Sequence, residues 1–415
     1  MSKTEAGSPA KKGKWTRRAF IGAGVVAGGA LVVGVAVRQG NPVDRLSPLL
    51  VKSDKEQLLN AWVKIDADNV VTAVIPHVEM GQGVYTALAQ MLADEMDADW
   101  DKVRILEAPA DMQYVSDSIG RDFLFPDLEV PALFEPTVAG GILELAQAMG
   151  LQFTGGSYSV RATGQRAMRT AGAAAREMLV AAAASEWQVP AGEITTADSM
   201  IMHAGSGKSE PFSRFALAAA EQSLPAKPTL KSPDKYRIMG QPKARHDIPA
   251  KVDGSAIFGI DAQVPGMKYA AVRAAPVVGA TIESMDATTA KTMPGVLQIL
   301  NMGDFVAVVA DGYWQAQQAL NSIDTKYAKT EGDGLDQDAI FARYGTHLDE
   351  AGDDGGDLET EEGDVAKAFA DAATKVEAEY RVPFLAHATM EPMNCTAWVR
   401  DGKCDVWSGH QAPVN

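Results

Sequence analysis

Two glycine turns carry the residue types best suited to hold a large polar ligand. The first, residues 79–83, reads Glu-Met-Gly-Gln-Gly and precedes a helical pattern. Glycines allow close backbone approach, and the helix would direct free N–H groups and its positive dipole end at an anion such as phosphate. The second, residues 154–159, reads Thr-Gly-Gly-Ser-Tyr-Ser and also precedes a helix. One such turn more often merely starts a helix, but two in one domain favour a phosphorylated cofactor gripped from both sides.

The histidines do not form a metal-binding pattern. His387 and Glu391 are four residues apart, but Pro383 and Pro392 bracket them and leave too little room for a helix that would bring them together. We therefore do not expect this pair to bind a metal. The sequence also lacks the Gly-x-Ser-x-Gly turn, the Walker loop and the Rossmann fingerprint with its acidic residue. Four other histidines are predicted at strand ends or on the surface: His77, His203, His246 and His347.

The two cysteines are predicted not to bond to each other. Residues 401–402, Asp-Gly, form a typical two-residue hairpin turn and would place Cys404 opposite Val399. Cys395 lies four residues before Val399, so the two sulfurs would be roughly 13 Å apart, which is too far for a disulfide. We interpret both cysteines as packing residues.

Alternating strands and helices must position the turns. Residues 58–75 are predicted as a β-hairpin around the turn-forming cluster 66–69, and a helix follows the first glycine turn. Two alanine-rich or amphipathic stretches, 170–184 and 212–222, are predicted as further helices.

A second set of short elements follows residue 245. The predicted strands and helices are strands 257–260, 268–272, 297–300 and 305–309, helix 313–327, helix 365–373, and strands 375–380, 394–399 and 403–407. Between them, residues 349–364 hold nine acidic residues and no basic one. Such a charge run is typical of a solvated connection, and it lacks the ordered spacing of a calcium loop.

Composition narrows the function classes. A chain of 415 residues is long for one core, so two or three domains are expected. The hydrophobic fraction of 46% and charged fraction of 22% exclude wholesale disorder. The net charge is −16, although residues 1–40 carry seven Lys and Arg against one Glu. An acidic body argues against nucleic-acid binding, and two cysteines cannot hold an iron–sulfur cluster of their own.

The N-terminal segment has the pattern of an export signal. Lys11, Lys12 and Lys14 lead into the pair Arg17 and Arg18, and an apolar run, 19–37, contains five glycines. This order resembles a twin-arginine signal. A membrane anchor is the alternative, since the run would reach roughly 28 Å as a helix. Because the twin-arginine route carries folded proteins, we expect a cofactor-loaded protein in the periplasm, either free or tethered to the inner membrane by an uncleaved signal.

These motifs, in this order, resemble a known family. They are similar to the molybdenum-binding large subunits of the xanthine oxidase / aldehyde oxidase family, in particular the isoquinoline 1-oxidoreductase β-subunit type. The resemblance rests on residues 79–83, 154–157, 171–179, 245–254, 386–394 and 408–411. It implies an α+β fold in which molybdopterin-binding segments surround an α/β hammerhead domain, preceded by an export signal.

The resemblance also implies a domain order. The expected regions are 1–45, a twin-arginine signal or anchor; 55–225, an N-terminal molybdopterin-binding segment; 226–244, a linker; 245–330, the hammerhead domain; 331–364, an acidic connection; and 365–415, the start of the main molybdenum cofactor-binding domain.

Site residues follow from the same resemblance. Gln411 would hydrogen-bond an oxo ligand of the molybdenum, where an amide donor polarises the ligand without adding charge. The metal itself would be held by the dithiolene sulfurs of a pyranopterin, in a dinucleotide form, and by no protein ligand. The implied pterin contacts are Met80, Gly81, Gln82 and Gly83, and the implied phosphate or nucleotide contacts are Gly156, Ser157 and Ser159.

The implied activity is hydroxylation of a small N-heteroaromatic or aldehyde substrate with oxygen from water. Electrons would leave through a separate 2Fe-2S small subunit, with a cytochrome c as a further acceptor. The family's catalytic glutamate falls beyond Asn415, so a further segment or chain is expected to supply the C-terminal half. The alternative is an exported, non-catalytic cofactor-binding or scaffold remnant.

Overall fold

The computed structural model describes residues 42–414 apart from 116–120, 122–123, 126–129, 132–133, 156, 352–359 and 361. The chain forms two compact units: unit 1 comprises the described residues up to Ala256 and those from His410 onward, and unit 2 is Ile257–Gly409. Nearly all of the predicted signal segment, and Gly156, lie outside the described residues. Within the described ranges, no helix combines the length and the apolar character needed to cross a membrane.

Unit 1 is built on a four-stranded sheet with strand order β1-β2-β3-β4. Its elements are α1 (Pro42–Leu50), β1 (Glu56–Asn60), β2 (Val63–Asp66), β3 (Val71–Ile75), α2 (Val84–Met96) and β4 (Val103–Glu107). The first three strands are antiparallel, which confirms the hairpin predicted around residues 66–69. Strand β4 pairs parallel to β3, and α2 supplies the crossover that a parallel pair requires. The first glycine turn therefore lies between the end of β3 and the start of α2.

Two glycines allow the helices after the second turn to pack closely on α2. After α3 (Glu135–Ala148), the π-helical segment Ser159–Met168 continues directly into α4 (Arg169–Trp187). A Cβ on Gly164 would approach the side chains of Met91 and Leu88, and one on Gly172 would collide with the main-chain oxygen of Leu92. At Gly172 only glycine permits this approach, because the main-chain oxygen of Leu92 cannot move aside. The wide turns of a π-helix are often found at functional sites.

The rest of unit 1 completes a buried apolar core against α2 and α4. Its elements are β5 (Ile194–Ala197), β6 (Met200–His203), β7 (Lys208–Pro211), α5 (Phe212–Ala220) and α6 (Ile248–Asp253). Strands β5, β6 and β7 form an antiparallel meander, and Phe212 and Phe215 of α5 are fully buried. Helices α4 and α5 confirm the helices predicted at 170–184 and 212–222.

The segment expected to be a linker, 226–244, is held against α2 by buried charges. The carboxylate of Asp94, which has no solvent exposure, accepts hydrogen bonds from the main-chain N–H groups of residues 237, 238 and 239 at 2.7–3.1 Å. Lys231 Nζ lies 2.7 Å from Asp97 Oδ1 and 3.1 Å from Asp94 Oδ1. A buried charge is stable only when it is paired and hydrogen-bonded in this way, so the segment is fixed along its middle.

Unit 2 contains small antiparallel sheets. Its elements are β8 (Tyr269–Ala274), β9 (Ile282–Asp286), β10 (Val296–Asn301), β11 (Phe305–Ala310), α7 (Tyr313–Asn321), β12 (Asp324–Tyr327), α8 (Gln337–Ala351), α9 (Val365–Asp371), β13 (Thr396–Arg400) and β14 (Lys403–Trp407). The strand order is β10-β11-β8 in one sheet, and β12-β9 and β13-β14 form pairs. Helix α7 packs on β8 and β11 around a core of alanine, valine and leucine side chains.

Several predictions for unit 2 are wrong. The helix predicted at 313–327 ends at Asn321, because the residues after buried Ile323 form β12 and pair with β9. Residues 257–260 contain the start of a 3-10 turn, and residues 375–380 have no regular structure. Helix α8 was not predicted and occupies much of the expected acidic connection.

The hairpin at the end of unit 2 has the predicted register. Val399 pairs with Cys404, and both cysteines are free thiols. The interpretation of Cys395 and Cys404 as packing residues is wrong, since both side chains are exposed.

Candidate functional site

The first glycine turn is shaped by Gly81 and Gly83. Their φ angles are +102° and +81°, which side-chain-bearing residues rarely adopt. A Cβ built on either glycine would meet nothing within 4 Å, so the space above the turn is open. Met80 is 54% exposed and Gln82 is exposed, and the Gln82 amide folds back to bond Val78 O at 2.9 Å and Met80 N at 2.6 Å. Both residues are thus solvent-exposed, and these two hydrogen bonds fix the Gln82 amide against the turn.

Three N–H groups at this turn and at the start of α2 are already bonded to a carboxylate. Glu79 Oε1 accepts from the N–H groups of Gly81 at 2.8 Å and Gly83 at 2.9 Å, and Oε2 accepts from Tyr85 N–H at 3.2 Å. The expectation that the start of α2 offers unoccupied N–H groups to a phosphate is therefore wrong for these three N–H groups. A carboxylate already occupies that position and would repel a second anion.

The second turn carries several hydroxyl groups and contains a residue in the left-handed conformation. Ser157 has a φ of +61°, uncommon for a residue with a side chain, and its hydroxyl group is on an exposed residue. Ser159 begins the π-helical segment and is 7% exposed. Gly156, predicted to contact the same ligand, lies outside the described residues.

Thr154 joins three distant parts of unit 1. Its hydroxyl accepts from Val78 N–H at 3.0 Å. Its main-chain N–H donates to the main-chain oxygen of Gln411 at 2.8 Å, and its carbonyl accepts from Gln411 Nε2 at 2.8 Å. The structure therefore brings the first turn, the second turn and Gln411 together.

A buried histidine completes this junction. His77 is 3% exposed, and its Nδ1 and Nε2 lie 3.2 Å from Thr154 Oγ1 and 2.8 Å from Thr163 Oγ1. Burial lowers the pKa of His77 to about 4, so the imidazole is neutral at pH 7. His77 follows β3, as predicted, but its burial and its link to Thr154 left no local signal in the sequence.

Tyr85 lies in an acidic environment beside the first turn. Burial, followed by the nearby carboxylates of Glu107 and Glu79, raises the pKa of Tyr85 well above its usual range. The phenol therefore stays protonated and can act only as a neutral hydrogen-bonding group.

The pair weighed as a metal site, His387 and Glu391, is not brought together as ligands. Glu391 Oε1 accepts from Ile260 N–H at 3.0 Å and from Asn394 Nδ2 at 2.8 Å, while His387 is exposed. Among the residues that the structure describes, no three His, Cys, Asp or Glu side chains cluster as metal ligands.

Comparison with known proteins gives consistent matches. Residues 350–415 and residues 9–120 each match a molybdopterin cofactor-binding domain. The beta chain of isoquinoline 1-oxidoreductase from Brevundimonas diminuta is 30% identical over 86% of this chain and 47% of its own length. A membrane-bound aldehyde dehydrogenase (pyrroloquinoline-quinone) of Gluconacetobacter polyoxogenes is 30% identical over 95% of this chain and 48% of its own. One nicotinate dehydrogenase subunit, from Pseudomonas putida, is 25% identical over 86% of this chain and 28% of its own.

The two matched segments are therefore of the molybdopterin cofactor-binding type. These matches confirm the resemblance of the chain's motifs to the molybdenum-binding large subunits of the xanthine oxidase family. The chain spans about half, or less, of the length of the curated relatives named above.

Proposed function

We propose that the chain is the cofactor-binding portion of a molybdenum hydroxylase that oxidises an N-heteroaromatic or aldehyde substrate with water as the oxygen source. The observation that carries the proposal is the junction at Thr154, which unites both turns with Gln411. The substrate classes are those in the names of the relatives: isoquinoline, nicotinate and aldehyde.

The described residues fit a molybdenum-pterin. The backbone at Gly81 and Gly83 is open to close approach by a ligand, and the Gln82 amide retains one N–H and one lone pair for a heterocycle edge. Because the Glu79 carboxylate already accepts hydrogen bonds from N–H groups at this turn, the turn suits an uncharged polar ring better than a phosphate. The hydroxyls of Ser157 and Ser159 remain the better partners for the phosphate of a dinucleotide form.

The residues of this chain would bind and orient the cofactor. When bound, a molybdenum-pterin supplies the redox chemistry. Gln411 donates one N–H of its Nε2 to the carbonyl of Thr154, which fixes the amide plane and leaves its second N–H to donate to a ligand. Thr154 is held in turn by Val78 and His77, so the position of Gln411 depends on a buried junction and not on an exposed loop.

Partner subunits and export to the periplasm complete the proposed function. We infer that a 2Fe-2S small subunit takes the electrons, with a cytochrome c as further acceptor, and that a further segment or chain supplies the catalytic glutamate. Residues 245–330 are proposed as the family's α/β hammerhead domain. The paired Arg17 and Arg18 support export to the periplasm by the twin-arginine route.

Dye-linked turnover tests the proposal. The protein is purified from its source with every co-purifying chain and assayed with a quinoline-type heterocycle and an aldehyde in ¹⁸O-labelled water. We expect oxidation of one class, with the label in the product. A folded complex that retains its partners, carries no molybdenum and oxidises neither class would contradict the proposal and support a scaffold remnant.

A further inference from the structure

The Glu79 carboxylate is the centre of the first turn. Its side chain is 3% exposed, and both of its oxygens accept main-chain N–H groups of the turn and of α2. Hydrogen bonds to an ionised acceptor are stronger than neutral ones, and a buried carboxylate needs them. The conformation of residues 79–85 therefore depends on where this carboxylate is held.

Arg245 holds that carboxylate in place. Its Nη2 lies 3.1 Å from Glu79 Oε1, and its Nη1 donates to the main-chain oxygen of Gly81 at 2.7 Å. The Arg245 side chain thus contacts the turn at two points, the Glu79 carboxylate and the main-chain oxygen of Gly81. All this geometry lies within unit 1, although the two residues are far apart in sequence.

Asp247 fixes the guanidinium itself. Its Oδ1 accepts from Arg245 Nε at 3.0 Å and its Oδ2 from Arg245 Nη2 at 2.6 Å, and Lys251 Nζ lies 2.6 Å from Oδ2. The hydrogen bond from Arg245 is the main cause that holds the pKa of Asp247 well below its usual range. Every nitrogen of the guanidinium is engaged, which a lysine cannot reproduce.

The same segment is tied to α2 at a second point. The main-chain N–H of His246 donates to Thr86 Oγ1 at 3.1 Å. Residues 245–247 therefore contact both the glycine turn and the first turn of α2, and they hold the two in one arrangement.

We propose that Glu79 and Arg245 are positioning residues that clamp the cofactor turn, so that Met80 and Gln82 are presented to the cofactor in one preorganised conformation. The proposal rests on the proposed function for what the turn binds, but the clamp itself is a property of the protein alone. Neither residue touches the reacting atoms. Both residues act through the turn. A turn that is already ordered loses less conformational entropy when the cofactor binds, so binding is stronger.

Amide hydrogen exchange tests the clamp without the cofactor. In Arg245→Gln, the N–H groups of Gly81 and Gly83 should exchange about tenfold faster than in the wild-type protein, because the carboxylate that accepts them is released. Lys251→Gln is the matched control, since it also removes a cation from Asp247 but does not reach the turn; it should change exchange less than about twofold. Exchange of α4 reports whether each variant is folded. Equal exchange of residues 79–85 in the two variants, with α4 protected, would overturn the clamp.

Cofactor retention tests its consequence in the native complex. We expect Arg245→Gln to release pterin about tenfold faster than the wild-type protein. Arg245→Lys should release it nearly as fast as Arg245→Gln, since lysine lacks the planar, multiply bonded guanidinium. The pair Glu79→Gln and Arg245→Gln together should lose no more than the worse single variant, because both act through one contact. Additive losses would overturn the proposal.

A charge exchange separates a clamp from a plain ion pair. In Glu79→Arg with Arg245→Glu, the pair is restored but position 79 can no longer accept the turn's N–H groups, so retention should not recover. Full recovery would overturn the clamp. A wild-type complex that contains no pterin would instead overturn the proposed function and leave the exchange result to decide the clamp.

Discussion

Gln411 and Thr154 hold each other by two hydrogen bonds of opposite direction. The main-chain N–H of Thr154 donates to the main-chain oxygen of Gln411, and the Gln411 side-chain amide donates to the carbonyl of Thr154, both at 2.8 Å. A reciprocal pair of this kind restrains both position and orientation. It explains how a residue near position 415 can be held beside a turn 257 residues earlier in the chain.

Replacing Gln411 tests its role at the site. Gln411→Ala removes the amide that Thr154 orients, so turnover in the native complex should fall about tenfold to a hundredfold per molybdenum bound. Gln222→Ala, at an exposed position after α5, is the control and should retain full activity. Unchanged kcat in Gln411→Ala at equal molybdenum content would contradict this role.

Removing the Thr154 hydroxyl tests the junction. Thr154→Val keeps the shape but leaves the Val78 N–H and a His77 nitrogen without this partner, so the free energy of unfolding should fall by about 1–3 kcal/mol. Thr163→Val loses only a contact with His77 and should cost less. Urea unfolding measures both changes, and equal stability of wild type and Thr154→Val would show that the junction is not structural.

The lowered pKa of His77 should make the stability of the protein depend on pH. Its pKa is about 4 in the folded protein against 6.5 for the free side chain, so below pH 6.5 the unfolded state binds the proton more readily. Stability is therefore full, with respect to this group, above pH 6.5. As the pH falls towards 4, protonation of His77 in the unfolded state lowers the free energy of unfolding by an amount on the order of 3 kcal/mol. His77→Gln should flatten that fall, whereas His347→Gln, at an exposed position, should keep it. Parallel curves for wild type and His77→Gln would contradict the assignment.

Two helical glycines should respond oppositely to alanine. Gly172→Ala would force a Cβ against the main-chain oxygen of Leu92 and should destabilise unit 1 by about 1–3 kcal/mol. Gly141→Ala, in α3, meets nothing within 4 Å and should be neutral or stabilise by up to about 1 kcal/mol. Thermal unfolding of the pair compares them directly, and a harmless Gly172→Ala would refute the close helix packing.

Elements whose pattern is local are predictable from the sequence. The hairpin around residues 66–69, helix α4 and the pairing of Val399 with Cys404 follow from turn chemistry and periodicity, which neighbouring residues determine. The glycine motifs were also visible, because positive φ angles at Gly81 and Gly83 demand glycine.

Features that depend on distant contacts were not predictable in this way. Glu79 accepts the N–H groups expected to bind an anion, and its contact with Arg245, 166 residues later in the chain, leaves no local pattern in the sequence. Similarly, the helix predicted through residue 327 stops because Asp324–Tyr327 finds a strand partner in β9. In both cases, tertiary pairing overrides a local preference.

The molybdenum content of the native complex tests the central claim most directly. Plasma mass spectrometry of the purified protein, with pterin analysis and the masses of all co-purifying chains, should give about one molybdenum and one pterin per chain. Gln222→Ala should match the wild type. A folded, partner-bound protein with neither molybdenum nor pterin would contradict the claim that the Thr154 junction assembles a cofactor site.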